Sequence, residues 1–153
     1  MKALIRDERG VSAVELGISL PILLMLTVGA VDVSNLISAR LDLEQAAQRT
    51  TDLALAARPR SSNGAYLVAE AAAASGQPAG NITVDIFLEC DGVRQLSFAE
   101  ACDDGELHAR FASVAISRDY QPLFDYRALA HLFGRRMMDS SIRITGDSVV
   151  RFQ

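Results

Sequence analysis

The sequence predicts an α+β protein, with one long N-terminal helix, part membrane anchor and part stalk, packed on a small and mainly antiparallel sheet. Three observations predict it. An uncharged run of sixteen residues, Leu16–Val31, lies near the start. A seam of small and apolar residues at spacings of three and four continues beyond it, and three β-branched, partly alternating stretches follow later in the chain. A chain of 153 residues, 50% hydrophobic and 22% charged, holds one small domain besides such an anchor. The expected organisation is a short charged leader at 1–10, a transmembrane and stalk helix at 11–57, and an extracytoplasmic α+β head at 58–153.

Counting from Val11, the apolar run reaches twenty-one residues with Glu15 as its one ionisable group. At about 1.5 Å per residue this spans a bilayer core of roughly 30 Å. A carboxylate inside such a helix costs on the order of 2.5–3.5 kcal/mol, so Glu15 calls for a partner, unless it reaches the interface by snorkelling. Lys2, Arg6 and Arg9 precede the run and Asp32 follows it. Basic flanks favour the cytoplasmic side, which places the N-terminus inside and the head in the periplasm. A cleaved secretory signal competes, because Val28-Gly29-Ala30 is a small-residue site. Glu15 argues against it, as does a helical pattern that runs on past Ala30.

The seam comprises Leu36, Ala39, Leu43, Ala46, Thr50, Leu53 and Ala57, with Asp42, Glu44, Arg49 and Asp52 off it. Its surface takes either the protein's own head or a partner helix. Pro21 lies inside the anchor, where a kink is tolerable. Arg58-Pro59-Arg60-Ser61-Ser62-Asn63-Gly64 stops the helix near Ala57. Ala65–Ser75 reads as a short helix, with Ser and Asn cap candidates before it and Gly76-Gln77-Pro78 ending it. Strands are expected at Ile82–Leu88, at Leu107–Ser117 with Phe111, Val114 and Ile116 as apolar members, and at Ser141–Phe152 with Ile142, Ile144, Val149 and Phe152. Between the last two, Tyr120-Gln121-Pro122 breaks the chain, and Arg127–Phe133 reads as a helical turn.

Residues 1–60 carry seven basic and seven acidic groups, and residues 61–153 eight and twelve. The head is acidic and has no basic patch, which argues against nucleic acid as a partner. Cys90 and Cys102 are the two cysteines, and an even count outside the cytoplasm reads as a disulfide. His108 and His131 lack Cys or acid neighbours at metal-ligand spacing, so no metal is expected. Cys102-Asp103-Asp104-Gly105-Glu106 lacks the spaced ladder of a calcium loop and reads as an acidic turn. With no G-x-S-x-G, phosphate loop or dinucleotide fingerprint, the expectation is a protein without enzymatic activity or cofactor.

A charged leader ending in Gly10, then Val11-Ser12-Ala13-Val14, Glu15 and an unbroken apolar helix resembles a type IV prepilin. Val14-Glu15 and Leu20-Pro21, Ala46-Ala47, Tyr120 with Pro122-Leu123, and the closing Ser148-Val149-Val150-Arg151 narrow the resemblance. Together they look like the TadE-like minor pilins of tight-adherence pilus systems. Two residues depart from that pattern: Leu16 stands where such chains usually have Phe, and Thr50-Thr51-Asp52 replaces Gly-Ala-Arg. The resemblance implies processing between Gly10 and Val11 by a prepilin peptidase, with Glu15 pairing with the new amino terminus of an adjacent subunit. It implies as partners the inner membrane, a major pilin, other minor pilins and a pilus assembly platform. The rival from another class is an uncleaved single-span anchor carrying a periplasmic binding module.

Overall fold

The structure, a computed structural model, describes residues 9–124 and 141–153, with side chains from Val14 onward. Its elements in chain order are helix α1 (Arg9–Ala56), helix α2 (Ala65–Ser75), and strands β1 (Ile82–Cys90), β2 (Val93–Arg94), β3 (His108–Tyr120) and β4 (Ile142–Arg151). A single 3-10 turn, Ala79–Asn81, leads into β1. The chain divides into two units. One contains Met1–Leu36 and Pro122–Met138, and the other contains Ile37–Gln121 and Asp139–Gln153. The expected helical turn at Arg127–Phe133 and His131 lie outside the described residues.

In the second unit four strands form an antiparallel sheet in the order β2-β1-β3-β4. Its alternation has a clear inner face. Ile82, Ile86, Leu88 and Cys90 of β1, Ala112, Val114 and Ile116 of β3, and Ile144 of β4 are buried. The stalk half of α1 covers this face through Ala39, Leu43, Ala46, Ala47, Thr50, Thr51 and Ala54, all buried. The stalk seam thus belongs to the protein's own head, which decides between the two occupants left open by its spacing. Thr51 Oγ1 and Ser148 Oγ lie 2.9 Å apart and tie the helix to β4, while Thr50 Oγ1 donates to the Ala46 carbonyl at 2.8 Å. Each buried hydroxyl therefore has a partner. The threonines that replace the small-residue pattern face the sheet, and Arg49 and Asp52 face away.

The observed stripe departs from the expected seam at its end. Ala57 is exposed and Leu53 half-buried, while Ala47, Thr51 and Ala54 are buried. A helix of 3.6 residues per turn drifts against any fixed alternation of threes and fours, so a wide contact takes neighbouring rows as well. Gly146 sets how closely the helix approaches. A Cβ there would fall 2.7 Å from Leu43 Cβ and closer still to the backbone of Leu43 and Glu44. Only a residue without a side chain fits between β4 and α1 at this point.

At the end nearest Ala54 a core forms from Ala54, Leu67, Ile86, Phe98, Ala112 and Phe152, with Leu53, Val84 and Val150 packed against it. Helix α2 enters through Leu67 and Ala71, both fully buried. Its Asn63 accepts from the Ala65 N–H at 3.1 Å, while Gly64 occupies the N-cap position without a side-chain bond. Gly76 closes the helix in the left-handed region at φ 67, donating to the Ala72 carbonyl at 2.9 Å. The Tyr66 hydroxyl donates to the Ala57 carbonyl at 2.8 Å, satisfying one of the free acceptors at the end of α1.

The structure adds three details to the strands. Phe111 lies on the outer face, where its ring stacks on Phe87 at 5.3 Å, and Ala112 takes the inner position. Val149 and Ile142 are exposed, because β4 turns Ile144, Gly146, Val150 and Phe152 toward the helix and core. The short strand β2, unforeseen in the sequence, pairs Val93 and Arg94 with Cys90 and Glu89 through a turn at Asp91 and Gly92, both at positive φ. Arg94 then lies 4.2 Å over the Phe87 ring and donates to Asp85 at 2.6 Å.

Candidate assembly and membrane-anchoring site

The residues of interest lie mainly on the first half of α1. This half holds a helix long and apolar enough to cross a membrane once, with a stretch of mean hydropathy 2.0 in which no residue is buried. Leu16 is 67% exposed and Leu24 57%, and the large side chains between and beyond them are similarly uncovered. Apolar surface in this amount and on every side of a helix is out of place in water and at home in lipid or among other apolar helices. Pro21 lies within the continuous helix. Ser19 and Thr27 turn their hydroxyls back to the carbonyls of Glu15 and Leu24, at 2.7 and 2.8 Å, so neither hydroxyl is left bare.

Glu15 is exposed on this apolar surface, two turns from the helix start. Gly10 and Val11 belong to the first turn of α1, and their side chains are outside the described set. An exposed carboxylate among uncovered apolar side chains would be costly in a bilayer without a counter-charge.

Asp32 behaves differently. It is 5% exposed, and its two carboxylate oxygens accept from the backbone N–H groups of Leu123 at 2.9 Å and Phe124 at 3.3 Å. Reading the sequence placed Asp32 as a flank of the apolar run and missed this role. The one signal was that Pro122, which has no N–H, is followed by two residues whose N–H groups need acceptors.

Cys90 and Cys102 form a disulfide, with Cα atoms 5.5 Å apart, closing a loop that carries β2 and the buried core residue Phe98. Glu106 approaches the two sulfurs within 4.8 Å, but sulfurs bonded to each other are not thiolate ligands, so this cluster holds one available metal ligand. The acidic turn closes on itself: the Asp103 N–H donates to Glu106 Oε2 at 3.0 Å and the Glu106 N–H to the Asp103 carbonyl at 3.1 Å. Gly105 supplies the positive φ that this turn needs. His108, opposite Cys90 on β3, is exposed. Near the end of α1 an open cleft is lined by Arg58, Arg60, Tyr66 and Arg110. The Arg110 guanidinium lies 4.8 Å over the Phe98 ring and donates to Gln153 at 3.2 Å.

Residues 10–52 match the family of TadE-like proteins, over somewhat more than a quarter of the chain. The matched stretch begins at Gly10, takes in Glu15 and the whole apolar run, and ends among the buried threonines of the stalk. No curated protein and no solved structure matches the chain. The chain therefore carries a TadE-like segment on its anchor and stalk, joined to a helix-on-sheet head.

Proposed function

We propose that this chain is a minor pilin or pseudopilin, a structural subunit that primes or takes part in assembly of a tight-adherence type IV pilus. The observation that carries the reading is the coincidence of the TadE-like match with the uncovered apolar half of α1, starting at the glycine where a leader would end. In this reading a prepilin peptidase cuts between Gly10 and Val11. The anchor crosses the inner membrane once, with the N-terminus cytoplasmic and the head periplasmic. Glu15 then meets the Val11 ammonium of a neighbouring major or minor pilin on the assembly platform. A carboxylate and an ammonium each cost several kcal/mol when buried alone, and much less when they meet. That energy difference gives register to helices that otherwise slide freely on one another. The disulfide suits a head exported to an oxidising compartment. The work proposed is assembly, without catalysis or cofactor.

Processing is the test. Lys2 is the chain's one lysine, so cleavage after Gly10 leaves the α-amino group of Val11 as the sole primary amine. Amine labelling and mass spectrometry of the protein from its native membrane should find the label at Val11, or no label if that amine is methylated. Gly10→Val should retain Lys2 and its label. Glu15→Ala should be cut normally, remain in the membrane and fail to co-purify with partner pilins. An unprocessed wild-type chain would favour the single-span binding module, and a mature terminus at Val31 a secreted domain.

A further inference from the structure

We infer that Leu123 and Phe124 form a second contact with the bilayer, at its headgroup and acyl-chain boundary, and that Asp32 holds them there. The inference rests on reading the first half of α1 as membrane-spanning. Asp32 is the first ionisable residue after the uncharged stretch Leu16–Val31, so on a spanning helix it marks the level where the apolar core ends. A carboxylate at that level is costly to bury without partners. Here it is 5% exposed and accepts from two consecutive backbone N–H groups, those of Leu123 and Phe124. These bonds fix the chain just after Pro122 beside Asp32 and within the same unit as the anchor.

The side chains attached to those N–H groups are large and apolar. Leu123 is 76% exposed and Phe124 38% exposed. Two adjacent large apolar side chains are thus presented next to the end of an apolar helix surface that is itself uncovered. The exposed surface of the anchor continues sideways onto a second segment at the membrane boundary. Lipid is the occupant that this continuity selects, since the same bilayer that covers Val31 reaches the neighbouring Leu123. An aromatic side chain at this depth also suits the interface, where a ring can lie among acyl carbons while its backbone stays with polar groups. In the structure those polar groups are the Asp32 oxygens. Asp32 acts here as a positioning residue, and the lipid contact belongs to Leu123 and Phe124.

The test uses the full chain in phosphatidylcholine vesicles. Both native cysteines are in the disulfide, so Leu123→Cys provides a unique thiol for an environment-sensitive nitrobenzoxadiazole label. Leu24→Cys and Ser62→Cys serve as deep and aqueous controls. The Leu123 label should be quenched about twofold or more by lipid carrying a doxyl group at acyl carbon 5, and less by one at carbon 12. The Leu24 label should show the reverse preference, and the Ser62 label should respond to neither. Asp32→Ala should bring the Leu123 signal down to that of Ser62. Asp32→Asn, whose amide oxygen still accepts, should give an intermediate value. Quenching at Leu24 with none at Leu123 would overturn the inference and leave the anchor standing, whereas no quenching at either position would remove both. Full quenching at Leu123 in Asp32→Ala would overturn the role given to Asp32.

Discussion

The two halves of α1 share one continuous backbone, yet their side chains answer to different surroundings. From Val14 to Val33 the large residues are Leu, Ile, Val and Met, and they are exposed on every side. From Ala39 to Ala54 the inward residues are Ala and Thr with a single Leu, and they are buried along one stripe. Leu24 at 57% exposure and Leu43 at 1% make the contrast concrete. In the first half bulk and apolarity run all round the helix, the pattern that suits an apolar medium, which does not discriminate between faces. In the second half small residues let the helix backbone come close to a sheet, while Asp42, Gln48 and Asp52 are exposed and Arg49 reaches Glu70 of α2 at 3.0 Å. One helix therefore carries a uniformly uncovered apolar surface and a specific packing surface, and substitution should separate the two.

The largest effect is expected at Leu43. Leu43→Glu puts an unpaired carboxylate at a site only 1% exposed and should abolish folding of the head. Leu43→Ala should cost about 2–5 kcal/mol through lost contacts and the cavity left behind. Leu24→Ala, the matching change in the anchor, should leave head stability unchanged. Denaturant titration of the full chain in detergent, read by pulse proteolysis of the head, measures all three. An equal loss for Leu24→Ala and Leu43→Ala would mean that the two halves are not distinct in the way described.

A second change sharpens the same contrast from the sheet side. Gly146→Ala introduces a Cβ that meets Leu43 Cβ and the backbone of Leu43 and Glu44. Backbone atoms cannot rotate away as a flexible side chain can, so the cost should reach about 3 kcal/mol, the upper part of the range for overpacking. Gly29→Ala in the anchor has open space around it and should cost the head nothing. The same denaturation measurement applies, and a neutral Gly146→Ala would show that helix and sheet can separate without loss.

Much of this was legible in the sequence because it rests on periodicity. The apolar run, the stalk seam from Ala39 to Thr50, the short helix Ala65–Ser75 and the three long strands all follow from which residue types recur at which spacing. The pairing of two cysteines needed no geometry at all. What stayed hidden depends on contacts between distant positions. Gly146 carries no pattern, since a glycine in a strand reads equally as a bulge, a bend or a close approach. Asp32 reads as a simple flank until Leu123 and Phe124 are brought to it. Phe111 reads only as an apolar member of its strand, since an aromatic residue on a half-covered sheet fits either face, and the pairing with Phe87 tells which. At the anchor, Glu15 was legible as an anomaly in an apolar run, and the structure shows it exposed there.

The smallest effect is expected where α1 ends. Burial pushes the Tyr66 phenol above its ordinary value near 10, and its hydroxyl donates to the Ala57 carbonyl at 2.8 Å. Tyr66→Phe removes one such bond and should cost about 1 kcal/mol. The pH dependence follows from the direction of the shift. Folding holds on to the phenolic proton more tightly than the unfolded chain does, so the contribution is fully present below the ordinary value. It is then lost as pH rises toward and through the raised one. An ionised phenolate cannot donate to a carbonyl and would repel it, at the end of a helix that is already the negative pole. Comparing wild type with Tyr66→Phe from pH 8 to pH 11.5 should therefore give two stability curves that lie apart at the lower end and converge or cross at the upper. Because both proteins share every other titrating group, the difference between the curves isolates Tyr66. A difference that stays constant across the range would show that the hydroxyl contributes through packing alone and that its bond to Ala57 does not help to end the stalk.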